Sequence, residues 1–97
     1  VALRPSSGFY ADSLGWVYYR LGRMDEAIAW LETAIQLAPT DAIISDHLAD
    51  AYWAVGRRLE ARYKWQHALN LGLEDTERLA TQKKLERAMS SGVNTVK

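Results

Sequence analysis

Four polar residues stand out by type and spacing. Asp46, His47 and Asp50 fall within one helical turn, and Asp12 lies 34 residues before Asp46. Imidazole and carboxylates on one helical face could in principle hold a divalent metal. His67 is the only other histidine and lies on a different predicted helix, and cysteine is absent. Such trios are most often solvated polar residues, so no metal site is assigned. The same aspartates have a second chemistry, pairing with lysine or arginine of a partner segment. Trp16, Tyr19 and Trp53 stand beside them at helical spacing, and large aromatics with a few fixed charges are the chemistry of binding hot spots. No nucleophile has a visible base partner, and there is no glycine-rich phosphate loop. The chain is therefore read as non-catalytic and without a cofactor. Arg57, Arg58, Arg62 and Lys64 form one short basic cluster, and Lys83, Lys84 and Arg87 another. Runs this short, with acids interleaved, read as solubilising surface and not as a nucleic-acid site.

These residues need a frame, and the frame repeats. Shifting the chain by 34 residues places Leu14 on Leu48, Tyr18 on Tyr52, Gly22 on Gly56 and Arg23 on Arg57. Glu26, Ala27, Ala34 and Leu37 fall on Glu60, Ala61, Ala68 and Leu71, and Asp12 and Asp41 fall on Asp46 and Asp75. A fixed period of this length marks a repeat architecture. Each unit reads as two amphipathic helices. The first helix is predicted from about Phe9 to Leu21, capped by Ser6 or Ser7, with Tyr10, Leu14, Val17, Tyr18 and Leu21 as its buried stripe. Gly15 has no capping role there. A mid-helix glycine costs about 1 kcal/mol against alanine, so close approach of a neighbouring helix is expected at that point. Gly22 ends the helix, and a second is predicted from Met24 to Leu37 with Ala27, Ile28, Leu31, Ala34 and Ile35 inside. Pro39 blocks its continuation. Trp30 falls toward the outer side of that helix.

The second unit predicts a helix over Ala42–Val55, capped by Thr40 or Asp41, burying Ile44, Leu48, Ala51, Tyr52 and Val55. A further helix over Arg58–Leu71 buries Leu59, Ala61, Trp65, Ala68 and Leu69. From Asp75 to about Ser90 a fifth helix carries Leu79, Leu85 and Met89 on one face and charge on the rest. That is the pattern of a terminal helix closing an array against water. The reading divides the chain into residues 1–7 (end of a preceding repeat, since Leu3 and Pro5 lie 34 before Leu37 and Pro39), 8–41, 42–75, a capping helix 76–90 and a disordered tail 91–97.

The totals narrow the function class. Ninety-seven residues hold at most one domain, and 48% are hydrophobic, which is ordinary for a globular chain. Basic and acidic residues number 12 each, so no general field draws the chain to nucleic acid or an anionic membrane. No apolar run reaches the ~20 residues of a membrane span, so membrane insertion is not expected.

Leu14-Gly15-x-x-Tyr18, Ala27-x-x-x-Leu31, Ala34 and Pro39 resemble the tetratricopeptide repeat (TPR) pattern, as do Leu48-Ala49-x-x-Tyr52, Ala61-x-x-x-Trp65 and Ala68. The second unit departs at Ala49 and Leu73, and the family's leading tryptophan is Ala11 in one unit and Ser45 in the other. The wording of residues 14–32 resembles bacterial members, taken from the C-terminal repeats of a longer protein. The resemblance implies an all-α fold of antiparallel helix–turn–helix units stacked into a superhelix. It also implies a protein-interaction scaffold with a concave face lined by the first helix of each unit. On that face fall the candidate partner-binding residues Asp12, Trp16, Tyr19, Asp46, His47, Asp50 and Trp53, with Phe9, Ser13, Arg20, Ile43 and Ala54 around them and Glu77, Thr81 and Lys84 continuing on the fifth helix. The expected partner is a protein or peptide segment carrying apolar and basic residues. Some family members hold acidic chaperone tails through a clamp of Lys and Asn. The corresponding positions here are Asp12, Trp16, His47, Glu77 and Thr81, so that partner class is not expected. The alternative is a structural array that self-associates as a homodimer through an open N-terminal edge around Phe9, Tyr10 and Val17.

Overall fold

A computed structural model describes residues 5–96. Its five helices are α1 (Pro5–Arg20), α2 (Met24–Leu37), α3 (Ala42–Ala54), α4 (Arg58–Leu71) and α5 (Asp75–Val96). α1 pairs with α2 and α3 with α4 as antiparallel hairpins; α2 then packs on α3 and α4 on α5. The resulting order places α1, α3 and α5 in one layer and α2 and α4 in the other.

Local chemistry accounts for the boundaries. Glycines at 22, 56 and 72 all have positive φ, and those at 22 and 56 turn each first helix into its partner within three residues. The Asp41 carboxylate caps α3 by accepting from the amides of Ile43 (3.0 Å) and Ile44 (3.2 Å). Two boundaries differ by more than one residue from those read in the sequence. α1 begins four residues early, at Pro5, because the first helical position loses nothing by lacking an N–H. α5 runs to Val96 and does not end near Ser90. Residues 1–4, assigned in the sequence to a preceding repeat, lie outside the described residues.

The core is built from small residues against a few large ones. Ala27, Ile28, Leu31 and Ala34 of α2 meet Ile44, Leu48, Ala49, Ala51 and Tyr52 of α3, and Ala61, Trp65 and Ala68 of α4 complete it. A Cβ added to Gly15 would stand 2.7 Å from Leu31 Cγ, and one added to Gly8 would stand 2.8 Å from the Ala38 Cβ. Close approach of α1 and α2 is therefore the reason for both glycines. Buried polar groups carry the remaining ties. Ser45 donates to the Lys64 carbonyl (2.8 Å), and the Tyr52 hydroxyl donates to Glu32 (2.7 Å).

The expected stripes need correction at several positions. In α1 the buried residues are Gly8, Ala11, Asp12 and Gly15, while Tyr10, Val17 and Leu21 face water. The small residues win because α2 comes too close for large ones. Val55 just after α3, Leu59 of α4 and Leu79 and Met89 of α5 are likewise exposed; α5 buries Leu85 as expected, but with Thr81 and Ala88 beside it. Trp30 is a partly exposed outer residue, as expected.

Candidate binding face

The layer of α1, α3 and α5 brings the seven candidate residues onto one side of the molecule, but not in the chemical state the sequence suggests. The three aspartates are each engaged by a neighbouring helix. Asp12 is buried on α1 and accepts from His47 Nδ1 on α3 at 2.8 Å. A carboxylate can only accept, so the His47 proton sits on Nδ1. Asp46 accepts from the Thr81 hydroxyl of α5 at 3.1 Å. The Lys84 ammonium bridges Asp46 Oδ1 (3.1 Å) and Asp50 (2.9 and 3.2 Å), and the Trp65 indole of α4 donates to Asp50 at 3.2 Å. Carboxylates expected to stand ready for a partner's lysine thus form a spine of cross-helix ties. His47 turns to Asp12 and not to Asp50, and among the described residues no set of three His, Cys, Asp or Glu side chains is placed to hold a metal ion.

The ties follow the repeat. Asp12 to His47 and Asp46 to Thr81 are both steps of 35 residues, one unit plus one position. The same fixed step recurs at both junctions because consecutive first helices stack with the same offset. Lys84 lies 34 residues after Asp50, so opposite charges at equal register mark the last junction. That was the sequence signal for Lys84.

Electrostatics in the spine are set by desolvation. Burial pushes the Asp50 carboxyl above its ordinary range; Lys84 opposes this, while Asp46 adds to it and the Trp65 indole again opposes it. Burial lowers Lys84, but its bonds and attraction to Asp50 and Asp46 outweigh that, and its net shift is upward. The two partners thus point in opposite senses on the worth of the pair. One ammonium serves two carboxylates, so Lys84 gains more from its partners than burial costs it, and Asp50 gains less. Burial, then the Asp50 charge, raises the Tyr19 phenol as well.

The aromatics line the surface above this spine. Trp16 stacks on Tyr19 (centroids 4.5 Å apart, 8° between planes) and on His47 (4.2 Å, 19°). Trp53 leans on Trp65 at 5.7 Å and carries the Arg58 guanidinium 4.8 Å over its ring. Trp16, Tyr19 and Trp53 are all part-exposed. Between the two aromatic groups opens a recess of about 270 Å³ lined by Tyr19, Asp50, Trp53, Trp65, Lys84 and Arg87. Trp65 reads as core in the sequence and Arg87 as part of a solubilising cluster, while Lys84 reads both as a member of that cluster and as a continuation of the candidate face on the fifth helix. They join the recess because α4 and α5 both lean toward α3, a contact invisible along any one helix.

Comparison with known proteins agrees with this geometry. A family model described as TPR repeat matches residues 15–56. The first TPR of Spaghetti (RPAP3), solved with the HSP90 peptide SRMEEVD, superposes with a TM-score of 0.78 at 18% identity, over 90% of this chain and 71% of that one. The second TPR of Spaghetti (RPAP3), solved with the same peptide, gives 0.71 at 18% identity, over 89% and 86%. No curated protein sequence matches. The fold is that of TPR helical repeats.

Proposed function

We propose that this chain is a non-enzymatic protein-interaction module whose α1–α3–α5 face takes an extended or helical segment carrying apolar and basic residues. The observation that carries the reading is the recess walled by Tyr19, Trp53 and Trp65 beside the Trp16 stack. Aromatic groups that are rigid, part-exposed and held at the centre of a concave layer are the residues from which binding hot spots are made. An apolar side chain of the partner enters the recess. The partner's basic residues lie along the spine, where Asp46 and Asp50 share the ammonium of Lys84 and leave negative charge in excess, while Asp12 is held by His47. The similar TPR structures hold an acidic peptide. The reading differs here because Lys84 is already bound to two carboxylates, and Asp12, Trp16, His47, Glu77 and Thr81 offer no cationic clamp.

A random peptide library selected on the chain tests this. Peptides enriched in Leu, Phe or Trp together with Lys or Arg are expected. Their affinity should fall at least tenfold, about 1.4 kcal/mol, in the Trp16→Ala/Trp53→Ala variant, with helical content unchanged by circular dichroism. Enrichment of Asp and Glu, or equal binding by a well-folded variant, would overturn it.

A further inference from the structure

Two cations line the recess beside Tyr19 and Trp53, and they differ in what they meet. Lys84 divides its ammonium between Asp46 and Asp50, and Asp50 is thereby engaged at both oxygens, with the Trp65 indole also donating to it. Arg87 lines the same recess and is exposed, and among the described residues no carboxylate or ring meets its guanidinium. The other cations of this corner are set on rings. Arg58 stands 4.8 Å over Trp53, and the Lys84 ammonium stands 5.8 Å over Trp65. Tyr19, the third aromatic wall, is stacked on one side by Trp16. At about 270 Å³ the recess falls just under the ~300 Å³ at which small-molecule pockets begin, so it has room for one side chain and not for a longer ligand.

Walls and charges sort the candidates for that side chain. A lysine or arginine would meet Lys84 and Arg87 while the carboxylate inside is already engaged. An aspartate or glutamate would face Asp50 and three rings whose faces are themselves electronegative. An aliphatic group fills the space but offers Arg87 nothing. An aromatic ring suits every wall. It stacks or tilts against Tyr19, Trp53 and Trp65, and it gives the Arg87 guanidinium a face to lie on. We infer that the recess is a socket for one aromatic side chain of the partner, and that Arg87 determines the preference for it over aliphatic and charged residues. Such a guest presupposes that the α1–α3–α5 face takes a partner segment, as proposed above. The partner's basic residues then lie along the spine, outside the recess.

Capped single amino acids probe the recess without any partner sequence. The N-acetyl amides of phenylalanine, leucine, arginine and glutamate are titrated into the chain, and the indole N–H signals of Trp53 and Trp65 are followed by NMR. The phenylalanine amide should bind with Kd on the order of 1 mM, as the ligand efficiency of small molecules gives for its size. The leucine amide should bind about tenfold more weakly, and the arginine and glutamate amides should give no saturable shift. Arg87→Met should narrow the phenylalanine-to-leucine preference to about threefold. Arg87→Lys, which keeps a cation, should retain most of it, and both variants should keep their helical content by circular dichroism. Equal binding of the leucine and phenylalanine amides, tighter binding of arginine or glutamate, or a preference unmoved by Arg87→Met overturns the inference. So does the absence of saturable binding by every amide up to about 50 mM, some fifty times the expected Kd. Library peptides still weakened by Trp16→Ala/Trp53→Ala would in those cases keep the interaction face standing, so the socket and the face fail separately.

Discussion

Replacing Lys84 by methionine isolates the energy stored in the polar spine. The change keeps the aliphatic stem and removes the one ammonium shared by Asp46 and Asp50. Side chains in this triad are 29%, 14% and 18% exposed, so the stranded carboxylates stay largely desolvated. Breaking a fully buried pair costs about 3–5 kcal/mol; allowing for the solvent that reaches Lys84, the expected loss is about 2–3 kcal/mol. For a domain of this size that lowers Tm by roughly 10–20 °C at pH 7. Acid should restore much of it. A carboxyl whose folded-state pKa is raised contributes stability that is present at low pH and lost as pH rises through the folded value. Asp50 is already shifted upward in the wild type, and loss of Lys84 drives it further the same way. The variant should therefore gain stability relative to wild type between pH 7 and about pH 4. Adding Asp46→Asn and Asp50→Asn should recover more than half of the loss, because no unpaired charge is then buried. Calorimetric melts of the three proteins decide it. A Lys84→Met melt within about 2 °C of wild type at pH 7, or a triple variant less stable than the single one, would refute the reasoning.

Gly15→Ala places a methyl group 2.7 Å from Leu31 Cγ. Overpacking outweighs the ~1 kcal/mol gained in helix propensity, and a net loss of about 1–2 kcal/mol is expected by urea denaturation. Asp41→Ala removes both amide contacts at the start of α3 and should cost about 1 kcal/mol by the same measurement, with Asp41→Ser close to wild type.

What the sequence made legible was punctuation and period. Glycine and proline bound α2 and α4 at the residues the structure assigns, and a mid-helix Gly15 by itself implies the close contact it makes with Leu31. The α1 stripe misleads because apolar type alone does not mark the packed face of that helix. In α1 that mark is small volume, at Gly8, Ala11 and Gly15, since α2 approaches closely, while Tyr10 and Val17 are exposed. Candidate residues were found by face. Their bonding is not legible in one helix because Asp12, Asp46 and Asp50 find partners on other helices, 34 to 38 positions away for His47, Thr81 and Lys84 and 15 for Trp65.

Repeats built from similar apolar surfaces run a hazard: one copy's helix can insert into another copy's stack in the wrong place. Here each junction of the inner layer carries its own polar lock, Asp12 with His47 at the first, Asp46 and Asp50 with Thr81 and Lys84 at the second. If α3 of a second molecule intruded where α5 belongs, its own Asp50 would arrive at the place of Lys84 and meet Asp50 and Asp46 with no cation between them. α5 intruding in place of α3 would offer Asp12 a threonine for a histidine. Intertwined misassembly is thus opposed by buried like charges, and the order of the units is written into the chain as a code that only the right neighbour completes.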